Sequence, residues 1–370
     1  MKKEMISDRQ FFVIIFVAIL SLTFFSVPAM LIPAVKQDLW LSMLLGTVVD
    51  IYVAYLLFWM GRAYPGQSLI QYSVSILGKI GNVAAAVFLV FFLIVIWFSL
   101  YIFVNFLSST LMMGTPVLVL NLTMVVAAGW AAYHGIETIA RLAEMIAVLI
   151  FIVSILGLLL SVTEMDLGEL LPQFENGIWP AVRASVYPSS WFGVCILMGM
   201  VMPHHQSPHR TFKVKVSAVV LGSAIITAWL LNSVVTLGQE AVGRLYYPIY
   251  GFSRTIRPVF FERMDILTML VYILGTFITI AILYFNLTEG ASQLFRTRPQ
   301  KRVRWIWAFG VLFVILPILP PLGRNTIDSF DILEYGFPLY ALAVEGGLTT
   351  LLFAAALIRK RRRPARRRGS

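Results

Sequence analysis

Two acidic residues lie inside long apolar stretches of this sequence, where an ionised side chain is costly. Asp50 falls near the middle of one stretch, and Glu345 lies within another. Ionisable side chains at such positions usually belong to ion, proton or substrate pathways. We therefore predict a candidate ion or proton site at Asp50 and Glu345, with a buried contact to a hydroxyl or an arginine as the alternative.

A second charged group has the spacing of neighbours on one helix face. Arg141 comes one helical turn after Glu137 and one turn before Glu144, an arrangement that favours ion pairs along a helix. The group lies at the end of an apolar segment. This position predicts a structural clamp at the cytoplasmic mouth of the protein rather than a catalytic role.

Polar, small and aromatic residues in four apolar segments could form a site for a small ligand. The first segment contains Pro28, which removes a backbone donor and must bend or break a helix. Within a membrane the freed groups need protein or a polar cavity, and transporters build substrate sites from such broken helices. A plain proline kink is the alternative. The candidate ligand-binding residues are Ser21, Thr23, Ser26, Trp97, Tyr101, Ser189, Ser190, Trp191, Gly193, Thr276 and Thr279.

The sequence gives little support for metal binding or catalysis. His205 and His209 have a zinc-like spacing, but Pro203 precedes them and Pro208 lies between them, which makes a regular helix there unfavourable. No nucleophile elbow, Walker loop or dinucleotide fingerprint is present. We expect no metal, no cofactor and no enzymatic activity, and the single cysteine, Cys195, excludes an intramolecular disulfide.

Composition places the chain in a membrane. Of its 370 residues 59% are hydrophobic and 13% are charged, and the mean hydropathy is +0.85. A membrane-spanning helix needs about 20 apolar residues, and residues 1–358 hold ten such segments in one domain. We predict an all-α membrane protein with ten transmembrane helices arranged as a 5 + 5 inverted repeat, with helices 1 and 6 broken at Pro28 and near Pro188. The predicted spans are about 11–33, 41–60, 83–107, 116–133, 142–163, 186–203, 214–237, 266–288, 305–322 and 337–358.

The distribution of positive charge along the chain predicts its orientation in the membrane. Most of the 29 lysines and arginines fall in alternate connections and at both chain ends, which predicts that both termini are cytoplasmic. The basic tail, residues 359–370, is expected to lie on anionic lipid headgroups. It lacks a nucleic-acid-binding fold and aromatic residues, so no nucleic acid is expected as a partner.

Short motifs spread over nearly the whole chain resemble the B subunit of bacterial spore germinant receptors, a GerAB-like family in the amino acid–polyamine–organocation transporter superfamily. Each motif is weak alone, and their order and spacing give the resemblance its specificity. The matching residues are 6–10 (ISDRQ), 37–42 (QDLWLS), 64–66 (YPG), 76–79 (ILGK), 135–141 (GIETIAR), 170–172 (LLP) and 261–265 (FERMD).

The resemblance implies a LeuT-type fold in the inner membrane of the spore, with an A subunit and a lipoprotein C subunit as partners. It implies a germinant, often an amino acid, bound between the broken helices near Ser21, Thr23, Trp97, the residues 189–193 and the threonines Thr276 and Thr279. Two departures alter the expected pocket. Residues 21–23 lack the glycine that relatives usually carry, and residues 194–196 lack an acidic residue that many have. These changes predict a narrower or differently shaped pocket, and either a germinant of another class or an orphan or degraded receptor subunit.

Three interpretations remain open at the level of sequence. The first is a nutrient-sensing subunit that triggers spore germination. The second is a secondary active amino-acid transporter coupled to H⁺ or Na⁺. The third is a structural membrane subunit without a ligand of its own.

Overall fold

The computed structural model describes residues 4–162, 165–192, 196–256, 263–298, 301–316 and 336–361. Regular structure in these ranges is helical, apart from an isolated β-bridge between Ile6 and His205. The predicted all-α class is confirmed. The helices in chain order are α1 Asp8–Ser26, α2 Pro28–Val35, α3 Leu39–Ala63, α4 Leu69–Leu77, α5 Lys79–Thr110, α6 Val117–His134, α7 Ile136–Leu160, α8 Trp179–Ala184, α9 Val186–Phe192, α10 Ile196–Val201, α11 Thr211–Leu237, α12 Gln239–Gly243, α13 Pro248–Ser253, α14 Met264–Leu294, α15 Val303–Ile315, α16 Phe337–Leu342 and α17 Thr349–Arg361.

Single helices or consecutive helices lie within each of the ten predicted spans. Among the described residues, nine such stretches are long and apolar enough to cross a membrane. The ninth predicted span corresponds to the shorter α15, and residues 317–322 of that prediction lie outside the described ranges. A π-helical segment, Ala343–Leu348, joins α16 to α17 within the last span.

Several short helices were not predicted, because none reaches the length of a span. Helix α4 begins with a capping box in which Ser68 and Gln71 each bond the other's backbone N–H. Helices α8, α12 and α13 lie in the two long connections that the sequence left without structure. Of these, α12 and α13 approach the break in the first span.

Helix α1 lies at the centre of the bundle, packed against α7, α9, α11 and α14. Nearly all its side chains are buried, as expected for a helix that is apolar on every face. Small residues on the neighbours allow close contact. A Cβ atom added at Gly222 would lie 3.3 Å from Ile19, and one added at Gly275 would collide with the hydroxyl of Ser21.

Candidate functional site

The first span is interrupted at Val27, between α1 and α2. Val27 keeps helical dihedral angles, with φ of −81° and ψ of −43°, and its N–H donates to the carbonyl of Thr23 over 3.3 Å. Pro28 begins α2 and cannot donate to the carbonyl of Phe24. The break is therefore a proline kink between two helices, with one backbone donor missing, rather than a long unwound segment.

Three hydroxyls precede the break and could have hydrogen-bonded the backbone groups that it frees. They bond to carbonyls of their own helix instead. Ser21 donates to the carbonyl of Val17 over 2.8 Å, and Ser26 donates to that of Leu22 over the same distance. Thr23 donates to the carbonyl of Ile19. Hydrogen bonds from serine and threonine to the carbonyl one turn earlier tend to bend helices. These residues therefore favour the kink without offering free hydroxyls.

An aromatic cluster fills the space beside the kink. It consists of Phe25, Phe106, Tyr247 and Tyr272. The ring of Phe25 lies 4.2 Å from those of Phe106 and Tyr272 and 5.2 Å from that of Tyr247, measured between centroids. Burial raises the pKa of the Tyr247 phenol, so this hydroxyl stays neutral at physiological pH. The cluster ties α1, α5, the α12–α13 connection and α14 together at one point.

A cavity of about 170 Å³ adjoins this cluster on the α2 side. Its charged wall residue is Arg244, whose exposed side chain lies 3.7 Å from the equally exposed carboxylate of Glu240. Both the kink and the connection between α12 and α13 contribute to the walls. The residues that line it are Phe25, Ser26, Ala29, Met30, Ile102, Gly243, Arg244, Leu245, Tyr246 and Tyr247.

The predicted residues of the sixth span lie on a different side of α1. Ser189 donates to the carbonyl of Ser185 over 2.6 Å, and Ser190 donates to that of Tyr187 over 2.8 Å. Trp191 is buried with its ring 4.6 Å from that of Phe337. Helix α9 packs tightly on α3 at Gly46. Gly193 lies outside the described residues, between α9 and α10.

The other candidate ligand residues are dispersed. The indole of Trp97 donates to the carbonyl of Leu316 over 3.0 Å, which holds it against the end of α15. Tyr101 is buried close enough to Tyr247 for the two phenols to interact. Thr279 donates to the carbonyl of Gly275 over 2.9 Å. Thr276 is buried one helical turn after Tyr272, and the Tyr272 phenol lies within hydrogen-bonding reach of its hydroxyl.

A buried group of charges joins three spans. The ammonium of Lys215 on α11 lies 3.4 Å from a carboxylate oxygen of Asp50 on α3, and both side chains are at most 1% exposed. Glu345, in the π-helical segment, is 2% exposed and lies within the electrostatic reach of both. The sequence singled out Asp50 and Glu345. It missed Lys215, which stands at the start of the predicted seventh span, 214–237, and was not selected as a site residue.

The expected three-residue clamp divides into two contacts. Arg141 forms an exposed ion pair with Glu137 over 2.6 Å, whereas Glu144 lies 3.2 Å from Arg9 on α1. Helix geometry allowed Arg141 either partner. The carboxylate of Glu144 instead joins α7 to α1, so this end of the bundle is held between helices.

The chain's first described residues close the same end. Ile6 donates to the carbonyl of His204 over 2.8 Å and accepts from Gln206 over 3.0 Å. The buried imidazole of His205 lies 2.9 Å from the carboxylate of Asp8 and 2.7 Å from the hydroxyl of Thr211. Burial lowers the pKa of His205, although contact with Asp8 acts in the opposite direction. The histidine therefore helps to hold this end of the bundle closed.

Comparisons with known proteins agree with this architecture. The Spore_permease family model, described as "Spore germination protein", matches residues 5–321. Spore germination protein KB of Bacillus subtilis (strain 168) is 24% identical over 370 residues, which cover 98% of this chain and 97% of the relative.

Two solved transporters share the fold. Mhp1, a nucleobase-cation-symport-1 family transporter in a closed conformation with bromovinylhydantoin bound, superimposes with a TM-score of 0.75 and 15% identity, covering 98% of this chain and 81% of that one. MhsT in complex with L-phenylalanine gives a TM-score of 0.57 and 16% identity, covering 97% of this chain and 99% of that one. Both have the LeuT fold. This chain is a LeuT-type all-α membrane protein that belongs to the spore germination protein family.

Proposed function

We propose that this protein is the nutrient-sensing membrane subunit of a spore germinant receptor and that it has no enzymatic activity. It binds a small nutrient carrying a carboxylate, such as an amino acid, in the cavity beside the kink at Val27. The observation that supports this site is the cavity itself: it adjoins the interrupted helix and has a cationic side chain, Arg244, in its wall.

The chemistry of the cavity suits a carboxylate. Arg244 and Glu240 are both largely exposed, and ion pairs of this kind contribute little stability. A ligand carboxylate can therefore replace Glu240 as the partner of Arg244 and form two parallel hydrogen bonds with its guanidinium. The neutral phenol of Tyr247 supplies a further polar group in the wall.

Binding would act on the aromatic cluster. Phe25 and Tyr247 belong both to the cluster and to the cavity wall, so an occupied cavity favours one arrangement of α1 relative to α5 and α14. In this proposal the altered bundle acts on the A and C subunits in the inner membrane of the spore, with both termini cytoplasmic. Among the residues selected from the sequence, Ser26 touches the ligand. Trp97, Ser189 and Thr279 act through helix packing.

Secondary active amino-acid transport coupled to H⁺ or Na⁺ is the second candidate function. It is favoured by the overall similarity to Mhp1, a transporter, and by the buried charges Asp50 and Glu345. The two functions differ in one measurable property. A transporter accumulates its ligand against a gradient, whereas a sensor binds it without accumulation.

The test uses the full chain in liposomes with a panel of labelled amino acids, sugars and nucleosides. Binding and uptake are measured on the same samples, with and without an ion gradient. Arg244→Gln is compared with Arg254→Gln, a matched change of an exposed arginine in the same connection. Losing a charge-assisted hydrogen bond costs about 1.5–3 kcal/mol, so Arg244→Gln should weaken binding about 10- to 100-fold.

The outcomes separate the candidates. Saturable binding that Arg244→Gln weakens and Arg254→Gln preserves supports the sensor and its site. Equal binding by wild type and Arg244→Gln contradicts the site. Gradient-driven accumulation identifies a transporter. If the chain binds no ligand, either alone or when co-expressed with the partner subunits, the remaining interpretation is a structural subunit. That outcome overturns the proposal.

A further inference from the structure

Three ionisable side chains from three spans meet where the bundle is closed to solvent. Asp50 lies on α3, Lys215 on α11 and Glu345 in the π-helical segment, and their exposed fractions are between 0 and 2%. Asp50 is near the middle of a 25-residue helix, about 16 Å from its first residue at 1.5 Å per residue. Asp50 is therefore far from either end of that helix.

The charges do not balance if all three groups are ionised. Lys215 and Asp50 neutralise one another across 3.4 Å. An ionised Glu345 would add a negative charge that no further cation matches among the described residues and that Asp50 repels. Its oxygen Oε1 has no hydrogen-bond partner among the described residues. Burying an uncompensated carboxylate costs several kcal/mol, whereas a neutral carboxylic acid avoids most of that cost.

The backbone at Glu345 is also unusual. Ala343–Leu348 forms a π-helix, a wider turn that interrupts α-helices and is frequently found at functional sites. A Cβ atom added at Gly346 would meet nothing within 4 Å, so there is space on that side of the turn.

We propose that Asp50, Lys215 and Glu345 form a proton-binding site in which Glu345 holds one exchangeable proton and Asp50 and Lys215 remain an ion pair. When water reaches the π-helical segment, the proton leaves a carboxyl oxygen of Glu345 as hydronium. The ligand is H⁺ rather than a metal cation. A hard cation needs several oxygen ligands, and one placed between these carboxylates would be repelled by the Lys215 ammonium.

The groups that act on this proton come from each side of Glu345. Asp50 on α3 favours the protonated form and Lys215 on α11 favours the ionised form. The site does not depend on the proposed nutrient cavity, since none of its residues lines that cavity.

Infrared spectroscopy of the purified full chain in lipid tests the site through the C=O band of protonated carboxyl groups at pH 7. Wild type should show the band of one buried carboxylic acid, and Glu345→Gln should lose it. Asp50→Asn should lose it as well, because Glu345 then becomes the counter-ion of Lys215 and releases its proton. Lys215→Met should approximately double it, since both carboxyl groups are then neutral.

Glu137→Gln, which changes an exposed glutamate, is the matched control and should leave the band unchanged. A band that survives in Glu345→Gln overturns the proposal. A wild-type protein that lacks the band also overturns the proposal. That measurement does not depend on any variant folding correctly. A band that persists unchanged in Asp50→Asn refutes the charge balance between the three residues.

Discussion

Replacing Lys215 with methionine tests how strongly the buried ion pair supports the fold. The substitution keeps a long side chain but removes the ammonium that lies 3.4 Å from Asp50, where the two side chains are 1% and 0% exposed. Removing one partner of a buried ion pair typically costs about 3–5 kcal/mol, because the other charge is left uncompensated. Asp50 can avoid that cost only by taking up a proton.

The free energy of protonating Asp50 determines how much stability the variant should lose. An ordinary aspartate has a pKa of about 3.9, and each pH unit corresponds to about 1.4 kcal/mol, so protonation costs about 4 kcal/mol at pH 7. At pH 5 the same step costs only about 1.5 kcal/mol. Lys215→Met should therefore lower the free energy of unfolding by about 3–4 kcal/mol at pH 7, and by less than half of that at pH 5.

The assay is reversible unfolding in detergent micelles at the two pH values. Lys213→Met, the same substitution at an exposed position two residues earlier, is the control and should change stability by less than about 0.5 kcal/mol. Adding Asp50→Asn to Lys215→Met should recover most of the loss. A loss below about 1 kcal/mol at pH 7, or an equal loss at both pH values, would refute the reasoning.

Three further predictions concern the rest of the bundle. Gly275→Ala should destabilise the protein by about 1–3 kcal/mol, because the added methyl group collides with the Ser21 hydroxyl. In thermal unfolding, adding Ser21→Ala to this variant should recover part of the lost stability. A double variant without any recovery would argue against this contact. Ser7→Ala removes the hydroxyl that caps α1 through the N–H of Gln10 and should cost about 1 kcal/mol in the same assay; an unchanged midpoint would show that the cap contributes nothing. Burial lowers the pKa of His205, so the unfolded chain binds a proton at this histidine more readily than the folded chain does. The free energy of unfolding should therefore fall as the pH drops below about 6.5. His205→Gln should flatten this pH dependence, and a variant with the same pH profile as wild type would exclude the histidine as its source.

Much of the fold could be predicted from the length of the apolar runs and from Pro28. Run length locates a span because lipid imposes a minimum number of apolar residues, and proline interrupts a helix wherever it stands inside one. Helix α4 and the helices of the two long connections could not be predicted in this way, since their stability comes from packing on the bundle and their length falls below that of a span.

The candidate site was harder to predict, because it depends on which side chains converge. The hydroxyls of Ser21 and Thr23 have the right chemistry but satisfy carbonyls of their own helix. Arg244 and Tyr247 lie in a connection that carries no signal of its own in the sequence. Lys215 could have been recognised, since a lysine on the second turn of an apolar helix can extend towards the interior. Its partner depended on the packing of α3 against α11.

The main-chain pairing of Ile6 with residues 204–206 has a consequence for biosynthesis. A ribosome adds about 5–20 residues per second, so about 10–40 seconds pass between the synthesis of Ile6 and that of its partner. During this time the first six spans are made, and the amino-terminal segment stays without its final hydrogen bonds. A nascent chain arrested before residue 204 would therefore leave that segment open to proteases or to a chaperone, and release of the sixth span would be the event that ends this exposure.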